Sequence, residues 1–560
     1  MESCWERPLI VQSDRTVLLE ANHRRFQEVR DRLSAFAELV KCPDHIHTYR
    51  ITSLSMWNAA AAGMSGKEIV EVLTDNSKFP LPLSLEQEIE KTVSRYGQLR
   101  LKPRGQKVVL TSRDGELLSE VARLPSVRRR AEPMADGSLL FARDQRGPIK
   151  QELIKYGYPV DDRAGYTQGE PLPLQLRNPS RSGAEFVLRD YQKRAVEAFY
   201  RNGSPEGGNG VLVLPCGAGK TIVGLAALER VGRAALILAP NTTSVRQWIR
   251  ELLDKTDLSE EQVGEYTGSL KEVKPVTVAT YQILTHRASQ EEPFTHMELF
   301  HRRDWGLILY DEVHLLPAPV FRATADLQAR RRLGLTATLV REDGREEDVF
   351  SLIGPKIYDV PWKELEEKGW IAGASCTEIR TPMAREHRHI YAEAGKRKKY
   401  RIAAENPDKL NVLESILQRH EEDQVLVIGQ YLSQLKQIAE RLDAPLITGK
   451  TGQQQRERLY RRFRKGEISV LVVSKVANFA VDLPDARVAV QISGTFGSRQ
   501  EEAQRLGRIL RPKKGENQSH FYHIVTRNTV DQDYALNRQL FLVEQGYRYT
   551  IVDAEQWELI

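Results

Sequence analysis

The stretch Gly210-Val-Leu-Val-Leu-Pro-Cys-Gly-Ala-Gly-Lys-Thr221, continuing as Ile222-Val-Gly-Leu-Ala-Ala-Leu-Glu-Arg-Val231, is an apolar β-branched run, a glycine-punctuated turn and a helical pattern in direct succession. Glycines at 217 and 219, with Ala218 between them, let the backbone turn its amides inward around phosphate oxygens. The helix that follows aims its positive end at the same point. In that frame Lys220 meets β- and γ-phosphates and the Thr221 hydroxyl meets Mg2+. The fuller phosphate-loop pattern carries one more glycine five residues before Gly219, where this chain has Leu214.

Working outward, the same strand and helix alternation fills two separate stretches of the chain. Candidate strands are Val211 to Leu214, Ala235 to Leu238, Val276 to Ala279, Leu307 to Tyr310 and Arg332 to Leu335. A second series follows at Val425 to Ile428, Pro445 to Ile447, Val470 to Val473, Val488 to Ile492 and His520 to Val525. The pattern predicts an α/β protein with two tandem doubly wound parallel-sheet domains. At the end of the fourth strand stands Asp311-Glu312-Val-His314. A carboxylate there can hold the water shell of Mg2+, which gives Asp311 the metal side, while Glu312 can orient and deprotonate an attacking water. Alone, such an acidic pair is an ordinary loop; downstream of a phosphate loop it completes a hydrolytic set. Thr336 and Thr338 end the next strand and could sense the acidic loop. Arg508 and Arg511 fall three apart on one predicted helix face, so both could reach a γ-phosphate across a cleft between the domains. Hydrolysis would then require the domains to close.

The 560 residues give a prior of about four domains, and 41% hydrophobic residues suffice for their cores. No apolar run approaches the roughly 20 residues of a membrane span, and the start MESCWERPLIVQSD lacks the pattern of a signal peptide. A cytoplasmic setting is expected. The 4 cysteines are scattered with no Cys-x-x-Cys pair, which excludes a disulfide framework and a cysteine zinc site. A net charge of +6 permits nucleic-acid binding without demanding it. Ahead of the first parallel series, Ser65-x-x-Glu68 and Ser84-x-x-Gln87 resemble capping boxes. A hairpin pattern follows over Leu99 to Leu110, in the order of a winged helix. The Pro- and Gly-rich stretch from Gly157 to Pro179 closes a small unit that begins near Leu139. The expected domains are 1–135 (N-terminal α+β, winged-helix-like), 136–180 (small unit), 181–375 (first motor domain), 376–405 (basic linker with Lys396 to Arg401) and 406–560 (second motor domain).

As a set these elements resemble the superfamily 2 helicases, with Asp-Glu-Val-His as the acidic box. The resemblance narrows to the XPB family, bacterial type, through Arg189-Asp-Tyr-Gln192, Arg341-Glu342-Asp343, Ile353-Gly-Pro-Lys356, Gly369-Trp-Ile-Ala372 and Asp482-Leu-Pro484. It covers the chain from about Leu139 to its end. It implies two RecA-like motor domains and an ATP- and Mg2+-driven 3′→5′ DNA helicase or translocase. By the same resemblance Gln192 and Arg189 would face adenine, Asp482 the ribose side and Gln504 the γ-phosphate or attacking water. Arg341, Glu342 and Asp343 would lie at the strand-separation fork. DNA would run over the tops of both motor domains, touching Pro240, Thr243, Arg246, Thr280, Tyr281, Thr448, Gly449 and Lys475 with little sequence preference. His314 would link the acidic pair to the second domain, residues 376–405 would resemble a DNA-gripping thumb, and Leu139 to Pro179, with Arg143, Arg146, Lys150, Lys155 and Tyr156, a damage-recognition domain. The partners implied are forked or duplex DNA and a nuclease, repair or transcription protein, with the protein at the nucleoid. A duplex translocase that remodels or recruits proteins without processive unwinding uses the same motor, and a binding scaffold would be expected to have lost some of these residues.

Overall fold

The computed structural model describes all residues except 1–6, 43–44, 106, 143–144, 163–167, 204–206, 216, 287–294, 317–330, 339–345, 361, 475–485, 495–516 and 558–560. The chain forms two compact units, Met1–Leu214 with Gly219–Val360, and Pro361–Ile560 with Pro215–Ala218.

The first unit opens with a short antiparallel sheet of β1 (Leu9–Val11), β2 (Thr16–Glu20), β3 (Glu38–Lys41) and β4 (Ile46–Arg50), ordered β1-β2-β4-β3. Helices Ser53–Ala61, Gly66–Asn76 and Leu83–Ser94 follow. Ser65 caps the second of these in a reciprocal box with Glu68. Ser84 caps nothing: the third helix starts from Pro82, so Ser84 lies in its first turn with no side-chain cap. Proline at the boundary presets the backbone and moves the start upstream of the apparent box. Ser65→Ala is therefore expected to cost about 1 kcal/mol of stability and Ser84→Ala close to nothing, read as shifts in the denaturation midpoint.

The predicted hairpin forms from β5 (Leu99–Arg104) and β6 (Lys107–Ser112), and it sits inside a five-stranded sheet. Strands β7 (Glu132–Pro133), β8 (Leu139–Ala142) and β9 (Val160–Asp162) complete the order β7-β8-β6-β5-β9. One sheet thus spans the expected boundary at 135/136. The chain beyond it runs as a strap along the first motor domain: Leu172 N–H donates to Gly232 O (3.0 Å) and Arg177 N–H to Lys255 O (2.9 Å). Arg146 and Lys150, expected on a basic surface, are 1% and 2% exposed. Both turn inward to Asp162 on β9, where Arg332 of the motor sheet joins them. Lys155 and Tyr156 are exposed, while Arg143 lies outside the described residues.

The first motor sheet contains β10 (Asn209–Val213), β11 (Ala235–Ala239), β12 (Val263–Tyr266), β13 (Val276–Thr280), β14 (Leu307–Asp311), β15 (Arg331–Thr336) and β16 (Lys356–Asp359). All pairs are parallel in the order β12-β13-β11-β14-β15-β10-β16. The inner strands are buried apolar runs, as a sheet covered on both faces requires. The sequence patterns pick out five of the seven; the two edge strands, β12 and β16, escape because edges tolerate Glu265, Lys356 and Asp359.

The second unit holds a matching sheet of β17 (Gly373–Thr381), β18 (Val425–Gly429), β19 (Leu446–Ile447), β20 (Val470–Ser474), β21 (Val488–Gln491), β22 (Gln518–Thr526) and β23 (Tyr549–Asp553). Its order is β19-β20-β18-β21-β22-β17-β23, again all parallel. Strand β17 pairs with β22 along its whole length, so this unit begins ahead of the expected boundary at 375/376. The basic run expected as a linker forms helix Lys396–Ala404, with Tyr400, Ala403 and Ala404 buried.

Candidate active site

Three neighbouring strands, β10, β15 and β14, deliver their C-terminal ends to one edge of the first motor sheet. After β10 the chain turns at Gly217 and Gly219, with φ of 83° and 77°, and helix Lys220–Val231 starts at once. Only glycine adopts that backbone at little cost. A Cβ on Gly219 would come 2.8 Å from Gln192 Nε2, so the Gln192 amide lies against the loop. Gln192 is buried, and its Oε1 accepts the backbone N–H of Arg189 at 2.9 Å. The two residues expected on the adenine side are thereby held beside the phosphate loop. Ala218 is buried and Thr221 half-buried in the first turn.

The acidic pair follows from β14. Glu312 has φ of 50°, a left-handed backbone uncommon for a side-chain-bearing residue, and this bend turns its carboxylate toward the loop. Lys220 Nζ sits 2.5 Å from Glu312 Oε1. The other oxygen, Oε2, lies 3.5 Å from His314 Nδ1. That ring nitrogen is 2.7 Å from Thr336 Oγ1, and the Thr336 hydroxyl donates to the Thr338 carbonyl at 2.5 Å. Glu312, His314, Thr336 and Thr338 thus form one continuous polar chain from the acidic loop to the end of β15. Burial pushes the Glu312 carboxyl up, but Lys220 first and then His314 outweigh it and hold it below the usual carboxylate range. Asp311 goes the other way: burial and the neighbouring Glu312 charge raise it to about 6 against the pull of Lys220. One ammonium serves two half-buried carboxylates.

Two side chains that the sequence reading did not place here also hold Asp311. Trp248 Nε1 donates to Asp311 Oδ2 at 2.9 Å, and the Tyr281 hydroxyl donates to the Asp311 carbonyl at 2.7 Å. Tyr281 was expected on DNA; it is 2% exposed and faces the acidic loop instead. Thr280 is also buried, its hydroxyl accepting Ile283 N–H as a helix cap. Both face inward because the chain enters a helical turn directly from β13. Thr243 and Arg246 are exposed on helix Thr242–Lys255 and Pro240 is half-buried. In the second unit Thr448 and exposed Gly449 follow β19, where Thr448 N–H donates to Thr451 Oγ1 at 2.9 Å. Arg341, Glu342, Asp343, Lys475, Asp482, Gln504, Arg508 and Arg511 lie outside the described residues.

A family profile described as ERCC3/RAD25/XPB C-terminal helicase matches residues 365–558. The DNA 3′-5′ helicase XPB of Kineococcus radiotolerans is 52% identical over 98% of this chain and 97% of its own length. The chain belongs to the XPB family of superfamily 2 helicases. The XPB protein of Mycobacterium tuberculosis, with the same description, is 51% identical over 98% of both chains. The general transcription and DNA repair factor IIH helicase/translocase subunit XPB of Encephalitozoon cuniculi is 33% identical over 97% of this chain and 82% of that one. Two further profiles match, Type III restriction enzyme, res subunit, over residues 185–341 and Helicase conserved C-terminal domain over residues 9–131. In this XPB family member the matched ranges 185–341 and 365–558 contain the two parallel sheets except β16, and 9–131 runs from the first antiparallel sheet through the hairpin.

Proposed function

We infer that this XPB family member is an ATP-dependent 3′→5′ DNA helicase or translocase that moves on duplex DNA and opens it, in the service of DNA repair. The observation that carries the reading is the Lys220–Glu312 pair at 2.5 Å beside the glycine turn. A γ-phosphate would draw the ammonium away from Glu312. The carboxylate would then be free to orient water and accept its proton, so that binding arms the base.

The donors suit Mg2+: the Thr221 hydroxyl and the Asp311 carboxylate are hard oxygen ligands, and two half-buried carboxylates with one ammonium leave room for added positive charge. Mg2+ would be held by these two residues and would neutralise charge on the transferring phosphoryl group. Gly217, Ala218 and Gly219 offer amides to the phosphates, Gln192 and Arg189 read the base, and Asp482 the ribose side. Gln504, Arg508 and Arg511 would complete the site from the second motor domain, so that hydrolysis accompanies closure. Arg341, Glu342 and Asp343 act at the fork, while Pro240, Thr243, Arg246, Thr448, Gly449 and Lys475 hold the DNA backbone. The region ahead of the motor acts as winged-helix-like and damage-recognition-like modules, and helix Lys396–Ala404 as part of a DNA grip. A nuclease or transcription protein is the partner class, at the nucleoid; no described helix is long and apolar enough to cross a membrane.

The test is ATP hydrolysis without nucleic acid and with single strands, duplex and forks, each across a salt series. Stimulation by DNA of at least about ten-fold, falling steeply with salt, is expected. Equal rates with and without DNA overturn the motor. Forks with each tail polarity, scored for displaced strand, test the 3′→5′ direction.

A further inference from the structure

Helix Thr242–Lys255 has two working faces. Thr243 and Arg246 are exposed on one, while Val245, Trp248 and Leu252 are buried on the other at helical spacing. The Trp248 side chain, 1% exposed, touches both halves of the hydrolytic site. Its indole N–H is 2.9 Å from Asp311 Oδ2, and its ring packs so tightly over Gly224 of the phosphate-loop helix that a Cβ there would collide with Trp248 and Leu309. Five residues of helix, about 7.5 Å, separate Thr243 from Trp248, and a packed helix moves as a body over that length.

We propose that Trp248 is the positioning residue that couples polynucleotide on the exposed face of this helix to the orientation of the Asp311 carboxylate, so that DNA and Mg·ATP bind cooperatively. The inference rests on the motor reading above and adds the route by which DNA reaches the hydrolytic site. The two states are the intact and the broken indole–carboxylate bond. In the intact state Oδ2 is tied by the N–H and the other oxygen would be left to hold Mg2+; in the broken state the carboxylate loses that tie. DNA phosphates on Thr243 and Arg246 favour the helix position that keeps the bond. Linkage requires the converse, that Mg·ATP tightens DNA by the same factor. Tyr281 holds the Asp311 main chain from the end of β13, two strands away in the sheet, so the side chain, not the loop, is the part that moves.

The experiment titrates the full-length protein into fluorescently labelled duplex and reads anisotropy with and without a non-hydrolysable ATP analogue and Mg2+. The unsubstituted protein is expected to bind DNA about five- to fifty-fold more tightly with nucleotide. Trp248→Phe, which removes the donor, is expected to reduce that factor to about two or less. Because Phe also leaves space, a second protein carries benzothienylalanine at position 248, which keeps the bicyclic shape and lacks the N–H; it is expected to behave like the Phe protein. Retention of the full factor by Trp248→Phe, or its loss with Phe and retention with the isostere, overturns the inference. An unsubstituted protein whose DNA affinity ignores nucleotide overturns the inference, whereas the motor reading falls only where DNA leaves the hydrolysis rate unchanged.

Discussion

The Glu312→Gln protein is expected to turn over ATP about a hundred- to ten-thousand-fold more slowly than the unsubstituted chain while binding nucleotide at least as well. The two halves of that outcome have separate causes. Glutamine keeps the length and the acceptor oxygen of Glu312 but cannot take a proton, so the chemical step loses its base. Binding is spared because the carboxylate competes with phosphate for the same ammonium: Lys220 is committed to Glu312 at 2.5 Å, and removing the negative charge releases it. Glu312 also sits at φ of 50°, a backbone that Gln adopts no less readily, so the loop has no reason to rearrange. Single-turnover hydrolysis alongside equilibrium binding of a fluorescent nucleotide separates the two effects. Undiminished hydrolysis takes Glu312 out of the role of base, whereas loss of both binding and hydrolysis makes the pair a structural tie.

What the sequence made legible was local. Lys220 and Thr221 follow their glycines directly, Asp311 and Glu312 end an apolar strand, and β11, β18 and β20 are nearly unbroken apolar runs; each can be read within a dozen residues. What it hid was the long-range polar complement. Trp248 stands three residues after Val245 and four before Leu252, the spacing of a core residue, and nothing nearby announces an acceptor 63 positions away. Tyr281 looks like a surface ring at a strand end until its hydroxyl finds the Asp311 carbonyl. Strand β17 carries Ser375, Thr377, Glu378 and Arg380, a composition that reads as loop; Glu378 is tolerated at 0% exposure because Arg380 and Gln539 hydrogen-bond it. Arg146 and Lys150, on helix Arg146–Lys155, read as a basic surface for the same reason, since their acid arrives from strand β9.

That last cluster has the second large effect. Arg146 Nε lies 3.0 Å from Asp162 Oδ2, Lys150 Nζ 2.5 Å and Arg332 Nη2 3.3 Å, and all three cations are at most 2% exposed. Asp162→Asn leaves two buried guanidiniums and an amine driven to shed its proton around a neutral group, and is expected to destabilise the first unit by about 3–5 kcal/mol. Lys150→Met removes one cation from an over-supplied carboxylate and is expected to cost less than about 1 kcal/mol or to stabilise, because Asp162 keeps both guanidiniums. The pH dependences also oppose each other. Burial, then repulsion from Arg332 and Arg146, lowers Lys150 to about 7 despite Asp162. The unfolded chain therefore binds more protons at this site between about 7 and 10.5, and the unit gains stability as pH rises through that window. Burial works to raise Asp162, yet the three cations hold it well below 3.8, so its contribution is fully present above about 3.8 and is lost as pH falls through the folded value. Lys150→Met should flatten the alkaline rise and Asp162→Asn the acid fall, both visible in denaturant midpoints measured across pH. Since Arg332 lies on β15, four residues before Thr336, a cost-free Asp162→Asn would mean that this strand is held by its sheet neighbours alone and that the module ahead of the motor contributes no electrostatic anchor to it.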